Sequence, residues 1–438
     1  MPGTAMHSRQ TAETEFLDKN NWEHEDTMKL ISQIALGAAL ALGAGTATIM
    51  VAQPAAAQEA EEWKVDLSRD GRNAIAAANE AFEAQDYPTA EAALRGVIAD
   101  PGNADDVFVA NQVLLNIAIQ TNNDPLLDEA LLGMLNSGSG GLTPERELQF
   151  RSRLANTAVT NEDYPTALMH FNRIVELQPG EPATYYNVGV IHSRMNNEAA
   201  AYAAYDKALD AAAASGQPAE QDWYFNHFTK GLELGEEMRE PLKRFYAAYP
   251  DGQTIRNLVL LYRDERNLDD TYLLNGWRLI EFADGMADGN DYLNYADIAD
   301  RGRSIGEASA VLNRAIAAGI LSADDPQVLS VKEAVGEPDP LEVLVELEPE
   351  VEAESDGTLA ASLANDYTAI GEYAKAVTYY DRAMEQGGVD MRDLNIRKGI
   401  ALTRLENYDA AIAAFEEADD PDDITLADFW IAYVEAIA

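Results

Sequence analysis

The sequence contains no cysteine among its 438 residues. Disulfide bonds, thiolate metal sites, cysteine nucleophiles and a lipid anchor on an N-terminal cysteine are therefore excluded. Histidine is scarce, with five residues, and none has a second ligand at the spacing of a zinc-binding helix. Serine-hydrolase, phosphate-binding and dinucleotide-binding motifs are also missing, so we predict a protein that is not an enzyme and that holds no metal or cofactor.

Two acidic clusters, at 284–291 and 419–423, have the composition of calcium-binding loops. In the first, Tyr295 stands where an EF-hand loop carries its closing glutamate, and the second lacks a flanking frame of helical ligands. We interpret both clusters as acidic turns, and weak binding of a divalent cation is the alternative.

Positive charge is in short supply, because 31 lysines and arginines stand against 76 aspartates and glutamates, giving a formal net charge of −45. A field of this sign repels nucleic acids and anionic membrane surfaces. We therefore expect no nucleic-acid partner, and the charge favours cationic partners.

Long apolar runs are limited to one, at 30–52, which follows Lys29 and precedes three alanines ending at Ala57. This order predicts a secretory signal peptide at 28–57, cleaved near Ala57, and an exported, periplasmic protein without stable membrane insertion. A retained membrane helix is the alternative. Residues 1–27 carry six acidic residues, unlike the basic start of a signal peptide, so we interpret them as a misannotated extension before Met28.

The rest of the chain repeats one pattern, clearest at 185–209, where a polar break at 195–198 separates two apolar helix faces. The first face has spacing i, i+3, i+4, i+7 and the second i, i+4, i+7, i+8. Their members are Tyr185, Val188, Gly189 and His192, and then Ala201, Tyr205, Ala208 and Leu209. The pattern predicts a helix–turn–helix unit in which Gly189 and Ala201 allow close approach.

Other parts of the chain carry the same offsets in their second helices. The matching sets are Tyr87, Ala90 and Leu94; Tyr164, Ala167 and Phe171; and Tyr373, Ala376 and Tyr380. Ala167 and Ala201 are 34 residues apart. This period and these small and large positions resemble the tetratricopeptide repeat family. The resemblance implies an all-α solenoid of helix–turn–helix repeats, a right-handed superhelix whose first helices line a concave groove.

The strength of the pattern suggests a domain organisation. We predict an N-terminal array at 58–322, with weaker repeats at 215–322, and a C-terminal pair of repeats with a capping helix at 358–438. Between them, residues 323–357 contain four prolines and a dense run of glutamates. We interpret this segment as an acidic linker with one short helix at 341–347.

The resemblance also implies which residues face the groove. Asn79, Asn156 and Asn365 fall at one equivalent groove position, and the remaining candidates fall beside the packing positions of the third and fourth repeats. These are Arg153, Tyr186, Asn187, Val190 and Arg194. Asparagine both donates to and accepts from a peptide backbone, and arginine holds a carboxylate at two points.

The sequence thus favours an exported, non-enzymatic scaffold that binds a protein or peptide in its groove, in cell-envelope assembly or secretion. The first alternative is a polysaccharide or cell-wall binding module, which exposed aromatic residues at 223–228 and 245–249 would favour. An enzyme of unknown type is the remaining alternative, and no motif supports it.

Overall fold

The computed structural model describes residues 63–266, 270–301, 304–335, 341–418 and 425–438. The expected extension at 1–27, the signal peptide at 28–57 with its cleavage site near Ala57, and the acidic turn at 419–423 lie outside these residues. Within them the secondary structure consists of helices and contains no strand, which confirms the predicted all-α repeat array. The chain forms two compact units that divide between Met195 and Asn196.

The first unit contains seven described helices, which pack mainly as antiparallel neighbours along the chain. They are α1 (Arg69–Glu83), α2 (Tyr87–Ala99), α3 (Ala104–Thr121), α4 (Asp124–Leu135), α5 (Pro144–Thr160), α6 (Tyr164–Leu177) and α7 (Pro182–Arg194). The best-packed pairs are α1 with α2, α3 with α4 and α5 with α6. Each pair corresponds to one predicted repeat.

The turn inside each hairpin has a recurring geometry. Gln85 and Glu162 adopt left-handed φ angles of 59° and 58°. The next residue caps the second helix, since the side chains of Asp86 and Asp163 accept from backbone amides three residues on. The left-handed residue ends the first helix, the aspartate satisfies amides that the second helix leaves without partners, and the reversal occurs within a few residues.

The second unit contains the fourteen other described helices. They are α8 (Glu198–Ser215), α9 (Gln221–Leu234), α10 (Arg239–Ala248), α11 (Gly252–Arg266), α12 (Asp270–Phe282), α13 (Gly289–Arg301), α14 (Ile305–Ala317), α15 (Pro326–Val335), α16 (Leu341–Ala353), α17 (Thr358–Ala369), α18 (Tyr373–Gln386), α19 (Met391–Arg404), α20 (Tyr408–Ala418) and α21 (Leu426–Ile437). The hairpins α13–α14, α17–α18 and α19–α20 pack most closely.

The segment 323–357, predicted as a linker, holds helices α15 and α16 in its described parts. The expected short helix at 341–347 continues to Ala353, through Pro349. Leu344 and Val351 are fully buried and join the core of α17 and α18. Their seven-residue separation places both on one side of a helix, and this burial outweighs the proline and the charge of the segment.

The C-terminal helix α21 occupies the core of the second unit. Every residue from Leu426 to Val434 is buried, and the helix contacts α10, α11 and α12 as well as α20. Trp430 is fully buried, stacks on Phe415 and donates through Nε1 to the carbonyl of Asn275 at 3.2 Å. The predicted capping helix therefore packs on all sides, whereas a cap on the last repeat would bury one face.

The hairpin predicted at 185–209 spans the division between the units, since α7 belongs to the first unit and α8 to the second. The expected close approach of Gly189 to Ala201 stays a prediction. No helix of the described segments combines the length and the apolar character that a bilayer span requires.

Candidate functional site

The predicted groove residues of the first unit lie on its first helices, α1, α5 and α7. Asn79 is half-buried on α1, and Asn156 is half-buried on α5. Arg153, one turn before Asn156, reaches Asp124 at the start of α4, with 2.9 Å from Nη2 to Oδ1. Arg153 thus joins two hairpins, while the Asn156 side chain remains partly open to solvent.

The environment of Arg153 contains a second carboxylate, Asp128, which sequence reasoning missed. Burial raises the pKa of Asp128, and the neighbouring Arg153 acts in the opposite direction. Arg153 therefore faces two aspartates of α4, and a peptide carboxylate would compete with them for its guanidinium.

A further ion-pair network joins α5 to α6 and was also missed. Glu147 lies 2.7 Å from Nε of Arg151, one turn away, and 2.8 Å from Nε of Arg173 on α6. The hydrogen bond from Arg173, together with those from Arg151, lowers the pKa of the Glu147 carboxyl. Spacing within α5 signals the first pair, but only the packing of the hairpin brings Arg173 to the same carboxylate.

Helix α7 departs from the predicted division of faces. Tyr186, expected to face the groove, is only 2% exposed. Tyr185 and His192, expected on the packing face, are half-buried. A helix inside an array has neighbours on more than one side, and α7 buries residues at both even and odd positions, so a single apolar stripe misplaces Tyr186.

Asn187, Val190 and Arg194 of α7 are half-buried. They retain the partial exposure that a binding position requires. With Asn156 on α5, they leave polar side chains accessible on two successive first helices of one unit.

Histidine 170 lies in the interior of the α5–α6 hairpin region. It is 1% exposed, and its Nδ1 has no hydrogen-bond partner among the described residues. Burial lowers its pKa, and the charge of Arg151 acts in the same direction. The imidazole is therefore neutral near pH 7, and the described segments contain no group of histidine and acidic residues placed to hold a metal ion.

Asn365 belongs to the second unit and has a different environment from its predicted equivalents. Its Oδ1 accepts from the Tyr380 hydroxyl at 2.9 Å, and it lines a small cleft with Arg278, Glu307 and Arg397. Asn79 and Asn156 lie in the first unit, so the three asparagines share a repeat position and not one surface patch of a single unit.

The cleft beside Asn365 is built on a buried ion pair. Arg278 makes two hydrogen bonds to Glu307, at 2.7 and 2.6 Å, and the Tyr295 hydroxyl donates to the same carboxylate at 2.8 Å. Burial alone would raise the pKa of Glu307, but the Arg278 charge and these hydrogen bonds bring it below its usual value. The internal space of about 20 Å³ admits one water-sized group, so the cluster joins helices and does not form a ligand cavity.

The aromatic residues at 223–228 and 245–249 pack mainly on one another. Tyr224 stacks on Phe245 with ring centroids 5.6 Å apart and meets Tyr249 edge-on. Phe228 is fully buried, while Phe225 is 37% exposed. A sugar-binding surface needs accessible aromatic faces, and most of these faces are already occupied.

The tetratricopeptide repeat family profile matches residues 152–218 and 362–424. The first match covers parts of α5 to α8 and the second covers α18 to α20 with their flanks. No curated protein sequence matches significantly.

Several solved structures resemble the chain. A tetratricopeptide repeat protein from Parabacteroides merdae ATCC 43184 is 15% identical, with 66% of this chain and 99% of that chain covered, at a TM-score of 0.29. The apo form of the quorum sensor NprR from B. thuringiensis is 12% identical, with 72% of this chain and 98% of that chain covered, at a TM-score of 0.27. The TPR domain of P58(IPK) is 11% identical, with 84% of this chain and 97% of that chain covered, at a TM-score of 0.22. The two profile matches lie on hairpins of the kind described above and identify tetratricopeptide-type repeats at residues 152–218 and 362–424.

Proposed function

We propose that the protein is a non-enzymatic scaffold that binds a protein or peptide partner with the first helices of its first unit. The observation that carries this proposal is the row of partly exposed polar side chains on α5 and α7, within the first matched segment. Asn156 and Asn187 offer amides that pair with a peptide backbone, and Arg194 adds a positive charge.

The absence of a catalytic constellation in the sequence agrees with a binding role, and tetratricopeptide arrays typically bind protein segments. The packed aromatic residues of α9 and α10 remove the main reason for the polysaccharide alternative. Binding through amides and one or two cations is consistent with recognition of an extended peptide or a helix.

Replacement of the two asparagines tests the proposal. Affinity capture with the full chain, from extracts of the cell envelope, identifies the partner, and titration of the purified partner then compares variants. We expect Asn156→Ala with Asn187→Ala to weaken binding by about tenfold, because two lost hydrogen bonds together amount to about 1.4 kcal/mol.

Asn172→Ala is the matched control, because Asn172 is exposed on α6, a second helix. Its variant should bind like the original protein. Equal affinity of the double variant would refute the proposed surface, and failure to enrich any protein over a mock capture would refute the scaffold role.

We further propose that the scaffold acts outside the cytoplasm, in cell-envelope assembly or secretion. The apolar run at 30–52 with its alanine exit supports export, with synthesis starting at Met28. N-terminal sequencing of the exported protein should give a start just after Ala57. A protein that retains residues 28–57 would contradict cleavage and favour a membrane anchor.

A further inference from the structure

Helix α16 presents an uncovered apolar stripe. Leu341 is 37% exposed and Val345 is 41% exposed, and Pro349 is exposed as well. Residues spaced by four lie in a row along one side of a helix. Leu344 and Val351 are fully buried on another side of the helix and fix it to its core. The stripe is therefore held in place and turned to solvent.

A row of carboxylates runs beside this stripe. Glu342, Glu346 and Glu350 each follow a stripe residue directly, so they repeat at the same four-residue spacing, and all three are exposed. Among the residues that the structure describes, no cation forms an ion pair with any of the three. The outer face of α16 thus combines apolar groups with three negative charges that have no ion-pair partner in the described segments.

Other glutamates of the same helix are paired. Glu348 lies 2.8 Å from Nζ of Lys375, and Glu352 lies 2.8 Å from Nη2 of Arg382. Both pairs attach α16 to α18. The paired carboxylates lie toward α18, and the open carboxylates lie farther around the helix, on the other flank of the apolar row.

The surrounding sequence strengthens the local negative field. Between Lys332 and Lys375 the chain contains no lysine or arginine. Helices α15 and α16 also lie outside both segments that match the repeat family.

We propose that this face of α16, named here the acidic stripe and composed of Leu341, Val345 and Pro349 with Glu342, Glu346 and Glu350, docks a basic amphipathic helix of a partner protein. The apolar row of that helix would cover the apolar row of α16, and its lysines or arginines would meet the glutamates. Charge complementarity selects this occupant, because an anionic partner or a second copy of the same stripe is repelled.

The acidic stripe is separate from the asparagine surface of the first unit. It lies in the second unit, on a helix that the groove prediction did not include. Each surface therefore has its own variants, and loss of binding at one surface can be measured separately from binding at the other.

A synthetic helix tests the acidic stripe with the full chain. The probe is a fluorescent peptide of about 16 residues, long enough to form a helix, with leucine at every fourth position and lysine after each leucine. A second peptide carries glutamate in place of every lysine. We expect the lysine peptide to bind with an affinity that falls as salt rises, and the glutamate peptide not to bind.

A triple variant should weaken binding of the lysine peptide by about tenfold, as expected for three exposed ion pairs. It combines Glu342→Gln, Glu346→Gln and Glu350→Gln. Val345→Ser should weaken it through the apolar row alone, by about threefold. The control is the combination of Glu240→Gln, Glu416→Gln and Glu417→Gln, which removes the same charge at exposed positions elsewhere in the second unit. It should keep binding within about twofold.

Equal weakening by the two triple variants would overturn the proposal, since attraction would then come from net charge alone. The proposal would also be overturned if Val345→Ser and the triple variant of the acidic stripe both bound the lysine peptide as the original protein does. Self-association of the original protein that Val345→Ser abolishes would identify a second copy as the occupant, and would also contradict a basic helix.

Discussion

His227 shows how burial controls a single ionisable residue in the second unit. It is 3% exposed and stacks on Tyr202, with ring centroids 4.5 Å apart. Asp206 lies 3.6 Å from its Nε2, with Arg244 near the same carboxylate. Burial, assisted by the Arg244 charge and opposed by Asp210, lowers the pKa of His227 to about 4. The nearby aspartate does not retain a proton on the ring, because the cost of burying the charged form is larger.

This shift predicts a pH dependence of stability. The unfolded chain binds a proton near pH 6.5, and the folded chain does so only near 4. Between these values the unfolded state holds more protons, so stability falls as the pH falls from about 6.5 to 4, by roughly 3 kcal/mol in total.

The phenylalanine variant of His227 checks this dependence, because it keeps a ring against Tyr202 and cannot titrate. Urea unfolding of the original protein and of His227→Phe should diverge progressively below pH 6.5. His192→Phe, at a half-buried position, should reproduce only a small part of the divergence. Parallel pH profiles for the original protein and His227→Phe would show that His227 is not the group responsible.

At the scale of one element, α21 shows that a short helix can be fixed both by its own cap and by contacts with distant helices. Thr425 and Asp428 form a capping box at its start, with Asp428 Oδ2 accepting from the Thr425 amide at 2.7 Å. Asp428 also pairs with Arg239 of α10, at 2.8 Å. One aspartate therefore begins the helix and attaches it to a partner that lies 189 positions earlier.

Removal of the Trp430 indole should destabilise the second unit. Trp430→Ala leaves a cavity among Phe415, Phe282 and Tyr433, whose rings contact the indole. Loss of a buried aromatic ring of this size costs about 3–5 kcal/mol. Urea unfolding followed by helix content should show a lower midpoint for part of the transition.

Ile437→Ala is the matched control for Trp430→Ala, because Ile437 is on the same helix and is 41% exposed. Its effect should stay within about 0.5 kcal/mol. If both substitutions shift the transition equally, or neither does, α21 is not a core element of the second unit.

At the scale of the whole molecule, the acidic residues that give the net charge of −45 occupy different environments. Many acidic residues are engaged inside the units, as with Glu307 and Arg278 or Asp291 and Arg256. The acidic stripe on α16 differs, since its three glutamates remain open. Individual carboxylates therefore either pair with arginines inside the units or remain exposed at the surface.

The repeated hairpins could be predicted from the sequence because they depend on local spacing. Small residues such as Ala90 and Ala167, both fully buried, mark positions where two helices approach. Aspartate before the second helix marks its start, as at Asp86 and Asp163. These signals lie within one repeat, so period and turn chemistry were sufficient to predict the all-α repeat array.

The environments of two predicted groove residues and of one predicted linker segment depend on distant neighbours. Tyr186 is covered, although its place in the repeat suggested a groove, and Asn365 is engaged by Tyr380 in a polar cluster. The helical nature of 341–353 was hidden by Pro349 and by the surrounding glutamates. In each case the outcome is set by which element packs against the residue, and local patterns do not contain that information.

The sequence by itself determined the helical repeats, the acidity and the expected export signal, because these follow from composition and from spacing within tens of residues. Only the tertiary structure decided that α21 lies in the core of the second unit and that three glutamates of α16 stay open. Both facts arise from contacts between residues far apart in the chain, where burial and pairing are settled by the packing of whole helices.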